Sequence, residues 1–142
     1  MVERKKPGTL ATKLAQARKK REQGDVLEPM CPSRSVLEHV TSRWGVMVLV
    51  SLLEDTHRFS ELRRKVGGVS EKMLAQTLHA LEEDGFVLRQ AYAEIPPRVD
   101  YSLTPMGRQV AERLEALVDW IEENMSYVLE ARDQHPTRKR AS

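Results

Sequence analysis

FSELRRKVGGVSEKMLAQTLHALEEDGFVLRQAY, residues 59–92, carries three structural signals in a row. Phe59, Leu62 and Val66 fall at helical spacing, so residues 59–66 read as a short helix with those three side chains inward. Gly67-Gly68 makes a turn. Ser70 then stands where a helix N-cap belongs, and Leu74, Leu78 and Leu81 form the apolar stripe of a helix that runs to Asp84. Gly85 follows where helices terminate on glycine. From Phe86 to Tyr92 the pattern shortens to a rough alternation, which predicts a strand, and Arg98 to Leu103 predicts its partner. The five residues between them, Ala93 to Pro97, include two prolines and make a stiff projecting loop. Two helices across a tight glycine turn, followed at once by a hairpin, form a winged helix-turn-helix. The expected fold is mainly α with a small β-hairpin wing.

The flanks complete this frame. Ser33 is expected to cap a helix carrying Val36, Leu37 and Val40, and Trp44 to Glu54 is apolar on nearly every side, hence a core helix. Thr104-Pro105 opens a last helix with proline at its first position. Its stripe, from Met106 through Val110, Leu114, Leu117, Ile121 and Met125 to Val128, predicts one continuous helix of about six turns over Pro105 to Glu130. Upstream, Leu10 to Glu22 reads as a short basic helix with a thin stripe, Leu10 and Leu14. The expected organisation is a basic arm over residues 1–29, the winged domain with its dimerisation helix over 30–130, and a flexible tail over 131–142.

A chain of 142 residues suits one domain and can bury a sizeable core. Its longest apolar run, Gly45 to Leu53, is nine residues interrupted by Ser51, too short to span a bilayer, and no apolar segment follows the charged N-terminus as in a secretory signal. Cys31 is the one cysteine, and His39, His57, His79 and His135 show no ligand spacing. No intrachain disulfide, metal site or cofactor is expected, and the cytoplasm is the expected compartment. An enzyme using Cys31 as nucleophile would need a base, and His39 lies eight residues away with nothing to complete a triad.

Net charge is only +2, but it is unevenly spread. Residues 1–21 carry +7, residues 58–79 carry +3 and residues 105–130 carry −4. A polyanion is the natural partner of the basic segments. In a helix-turn-helix the second helix enters the DNA major groove. With Leu74, Leu78 and Leu81 inward, Lys72, Gln76 and His79 point outward, flanked by Met73 and Ala80. A cation, an amide and small apolar surface suit phosphates and base edges. Ser70 at the helix start can meet a phosphate, as can Arg63, Arg64 and Lys65 on the preceding helix and Arg98 beside the wing loop, unless Arg98 is paired with Asp100 or Glu94.

Several motifs occurring in order make the chain recognisable: Cys31-Pro32, Arg43-Trp44, Arg58-Phe59-Ser60-Glu61-Leu62, Val69 to Leu74, Leu81 to Val87, and Pro96 to Gly107. From about Met30 to Met125 the sequence strongly resembles the HxlR-type family, bacterial winged-helix transcriptional regulators related to the MarR group. The resemblance implies a homodimer, joined through terminal helices, that binds near-palindromic double-stranded DNA operators. Leu117, Trp120, Ile121 and Met125 would form the dimer seam, since Trp120, Ile121, Met125 and Val128 lie beyond the hairpin's reach. It also implies that Cys31, beside a helix start that favours the thiolate, is a candidate sensor of an electrophile or oxidant, through alkylation or an intersubunit disulfide. The plainer reading is a packed cysteine. Two features depart from the pattern: a basic arm of about thirty residues precedes the cysteine, and Ser42-Arg43-Trp44 replaces the usual Gly-Lys-Trp. The arm suits either phosphate neutralisation or docking of Leu10 and Leu14 on the seam. A winged-helix module for protein–protein assembly is the rival reading, and the lysines of the basic segments argue against it.

Overall fold

The leucine stripe of the glycine-terminated helix decides what packs against what. In the computed structural model, which describes residues 10–14 and 23–137, Leu74, Leu78 and Leu81 are buried together with Val48, Leu49 and Leu52 from the upstream helix and Leu62 from the short one. The chain forms two compact units, residues 1–42 and 43–142.

In the first unit residues 10–14 are helical, and the rest of the predicted arm helix lies outside the described residues. Helix α1 is Ser33–Thr41. Ser33 is its first residue and not its cap: Pro32 holds the N-cap position, already at φ −58° and ψ −23°, and makes no side-chain cap bond. The Ser33 hydroxyl instead donates to Cys31 Sγ at 3.1 Å.

The second unit runs α2 (Arg43–Glu54), β1 (His57–Arg58), α3 (Phe59–Lys65), α4 (Glu71–Glu83), β2 (Val87–Tyr92), β3 (Arg98–Leu103), α5 (Pro105–Glu123) and α6 (Met125–Gln134). Leu62 and Val66 are buried as expected of α3, whereas Phe59 is half-buried. The Ser70 side chain caps α4 by accepting from the Met73 N–H at 3.1 Å. Its C-terminus closes as a Schellman motif: Phe86 N–H bonds the Leu81 carbonyl, Gly85 N–H bonds the Glu82 carbonyl, and Gly85 takes φ +84°. Thr104 caps α5 by accepting from Gly107 N–H, and its hydroxyl donates to the Gly85 carbonyl at 2.6 Å, so one threonine ties the end of α4 to the start of α5.

One expectation is extended and one needs correction. The expected β2–β3 hairpin wing is present and gains a third strand, in an antiparallel sheet ordered β1-β3-β2. β1 pairs His57 with Tyr101 and Arg58 with Asp100. Two residues are too few to show alternation, and this strand exists because β3 offers a free edge. The long terminal helix is also broken, at Asn124. The Asn124 side-chain amide donates to the Trp120 carbonyl at 2.8 Å, and its backbone N–H is shared between the carbonyls of Trp120 and Ile121. This local competition for carbonyls tightens the last turn of α5 and interrupts the ladder. Helix then continues to Gln134, beyond the anticipated Glu130. No single described helix is long and apolar enough to cross a membrane.

Candidate nucleic-acid interface

Burying one side of α4 frees the other. Leu74 and Leu81 are fully buried, while Lys72, Met73, Gln76 and His79 on the opposite side are exposed. The helix starts with three backbone N–H groups that have no partner within it, and Ser70 occupies only one. The remainder, with the positive end of the helix dipole, suit an anion.

The basic side chains around this face differ in how free they are. Arg63 Nη1 is 2.9 Å from Glu71 Oε1, a bond that braces α3 against the start of α4. Lys65 is paired with Glu54, and its ammonium holds the Glu54 carboxyl below the usual carboxylate range. His79 Nε2 meets Glu83 Oε1 at 2.6 Å, one turn along the same helix. Arg98 forks onto Asp100, Nε to Oδ1 at 3.1 Å and Nη2 to Oδ2 at 2.9 Å, and lies 5.1 Å above the Tyr92 ring. Asp100 is 7% exposed, and its carboxyl is held below the usual range by that fork. Lys72 and Arg64 make no ion pair among the described residues. Arg64 lines a hollow of about 330 Å³ with Phe59, Ser60, Arg63 and Glu71, at the mouth of the turn between α3 and α4. Exposed pairs of this kind contribute little and exchange readily with solvent or phosphate, so Arg63, Lys65 and His79 remain available to an anion in a way that Arg98 does not.

Family membership follows from the same stretch. The HxlR-like helix-turn-helix family matches residues 39–128, which hold the helix pair, the sheet, all of α5 and the start of α6. The chain belongs to the HxlR-like helix-turn-helix family. Over 112 residues this HxlR-like chain is 63% identical to YtfH, an uncharacterized HTH-type transcriptional regulator of Escherichia coli K12, covering 79% of the chain and 89% of that protein. The solved structure of the transcriptional regulator ytfH from Salmonella typhimurium superposes with a TM-score of 0.75 at 60% identity, over 78% of this chain and 99% of that one. The redox regulator HypR in its reduced form superposes with a TM-score of 0.63 at 33% identity, over 70% and 98% respectively. The fold is that of winged-helix transcriptional regulators.

The second candidate feature of this HxlR-like chain is Cys31. Its half-buried sulfur accepts from the Ser33 hydroxyl and, at 3.2 Å, from the Asp25 N–H. The serine bond first and the amide second hold the thiol below its ordinary range, while burial and the Asp25 carboxylate oppose them. The expected helix-start effect is therefore supplemented by direct donors that sequence reading overlooked. Sequence reading also left out Arg89, a β2 residue opposite Tyr101 that is exposed and unpaired among the described residues.

On α5 the apolar side chains split into two sides. Gly107, Ala111 and Leu114 face the core, and Leu117, Trp120 and Ile121 are exposed at 50%, 59% and 42%. Met125, at the start of α6, is half-buried.

Proposed function

We propose that this HxlR-like regulator is a homodimer that binds near-palindromic duplex DNA by sequence and acts as a repressor. The observation that carries the reading is α4: its apolar stripe is consumed by the core, and its capped N-terminus presents Lys72, Met73 and Gln76 with no internal partner for the lysine. Gln76 suits bidentate pairing with an adenine edge, and Lys72 a guanine edge or a phosphate. Ser70, Arg63, Arg64, Lys65 and His79 supply contacts to the sugar–phosphate backbone. A bound dimer of this size represses by occupying the promoter. The arm of residues 1–21 supports the same reading by charge: without its +7 the rest of the chain carries −5, a poor starting point for a DNA ligand.

The test is fluorescence anisotropy on the chain's own upstream DNA. A Lys72→Ala/Gln76→Ala double variant should keep its melting temperature and lose about 1–3 kcal/mol of operator binding for the lost base pairing, with relaxed preference at one position of each half-site. Unchanged operator binding by this variant would remove α4 from the interface.

Cys31 supports a thiol response. Its thiolate would add to the electron-poor carbon of a quinone or aldehyde: one S–C bond forms, that carbon's π bond breaks, and the displaced electron pair takes a proton from solvent. Alternatively, two thiolates from two subunits would give two electrons to an oxidant and join as a disulfide. Because Ser33 is the leading stabiliser of the thiolate, Ser33→Ala should move the midpoint of iodoacetamide alkylation against pH upward. At neutral pH that variant should react more slowly than the parent. An identical profile in the two proteins would show that the Ser33 bond does not tune the thiol.

A further inference from the structure

The hairpin carries two arginines, and its register sends them to opposite faces of the sheet. Arg98 pairs across with Tyr92 and shares its face with Asp100, two residues on. Arg89 pairs with Tyr101, the neighbour of Asp100, so the pleat puts it on the other face. That other face looks onto α4. Arg89 and Tyr101 line one wall of a cleft of about 350 Å³ whose opposite wall is Ala75, Leu78, His79 and Glu82.

The two guanidiniums also differ in what they are free to do. Arg98 is forked onto a buried carboxylate and stacked on Tyr92, and Arg58 of β1 stands beside Asp100 across the strand pair. This arrangement spans all three strands and leaves little of the Arg98 charge for a ligand. Arg89 is exposed and has no carboxylate partner among the described residues. It can take up a phosphate without first losing an internal bond.

Resting on the DNA-binding reading above, we propose that Arg89 is the wing's DNA contact, receiving a backbone phosphodiester in the cleft between α4 and the sheet, and that Arg98 is a positioning residue. A recognition helix seated in the major groove has a phosphate strand along each flank. The cleft lies on the wing flank of α4, and the hollow holding Arg64 lies toward the N-terminal end of the same helix, near the α3–α4 turn. The Tyr101 phenol can donate to the same phosphate. Glu82 is the opposing charge in this cleft, and it weakens the contact.

The experiment is a salt titration of binding by the full-length chain to its own upstream duplex and to a random duplex. Arg89→Gln should weaken binding to both by about tenfold at low salt. It should make the slope of log affinity against log salt shallower by about 0.9 per wing. Arg89→Lys should restore the slope, and Glu82→Gln should tighten binding to both duplexes. Arg98→Gln should leave the slope unchanged, and its hairpin amides should exchange hydrogen faster, which a phosphate contact alone would not cause. All three side chains are at least partly exposed, so these four variants are expected to fold, and matched melting curves check it. A shallower slope in Arg98→Gln with none in Arg89→Gln reverses the assignment. Unchanged slopes in both remove the wing from the phosphate backbone. Failure of the unaltered chain to bind either duplex overturns the DNA-binding reading itself, and with it this inference.

Discussion

Ile121→Asp should yield a folded monomer that no longer binds its operator. In the isolated protomer Ile121 is 42% exposed, beside Trp120 and one turn beyond Leu117, so a carboxylate there stays solvated and should disturb folding little. In a seam made by two copies of this face the same carboxylate appears twice, without a partner, among apolar side chains. Burying an unpaired charge is far more costly than losing the contact area of one isoleucine. Dimer dissociation should strengthen by at least about 100-fold, or about 2.7 kcal/mol. In the proposed complex a near-palindromic operator is held by two half-site contacts, so affinity should collapse with the dimer. Sedimentation velocity reads the assembly, and anisotropy on the same sample reads the DNA. A variant that still sediments as a dimer and still binds would move the interface off α5.

Gly107→Ala should be the most damaging single methyl group in the second unit. Gly107 lies in the first turn of α5, where Thr104 caps the helix and the helix passes directly over the backbone of Phe86. A Cβ at this position would collide with the Phe86 carbonyl and stand 3.1 Å from its Cα. The obstacle is backbone, at the junction between the end of α4 and β2, so neither side can yield without disturbing the Schellman closure or the Thr104 bonds. We expect a loss of about 3 kcal/mol or more, and a fall in Tm of about 10 °C. Gly67→Ala is the control, because a Cβ there meets nothing within 4 Å and the glycine has no positive φ. It should change stability by less than about 0.5 kcal/mol. Equal melting temperatures for the parent and Gly107→Ala would show that α5 does not approach Phe86 so closely.

The parts of the candidate site that could be read in advance are those that rest on local rules. A capping serine, a leucine stripe and a terminating glycine act within a few residues of one another, so Ser70, the inward Leu74, Leu78 and Leu81, and the outward Lys72, Gln76 and His79 follow from spacing alone. The Thr104-Pro105 start of α5 is legible for the same reason. Less legible is the pairing of each basic side chain. Arg63, Lys65 and His79 meet Glu71, Glu54 and Glu83, and only the His79 pair sits at the i,i+4 spacing that a helix announces.

By itself, then, the order of periodicities determined a winged helix-turn-helix, which helix is presented outward, and which of its faces. Those are consequences of a 3.6-residue repeat, a two-residue repeat and the chemistry of chain reversal. The tertiary structure alone decided that His57 and Arg58 join the sheet, that Asn124 interrupts the terminal helix, that Arg98 is held by a buried Asp100, and that Arg89 faces α4. The β1 pairing and the facing of Arg89 depend on strand register, and shifting a strand by one residue exchanges its two faces; Arg98 and Asp100 share a face of β3 by their two-residue spacing, and packing decides that Asp100 is buried. Register is set by packing across the whole sheet, whereas the break at Asn124 rests on a competition for carbonyls that differs from an unbroken helix by the energy of a hydrogen bond or so.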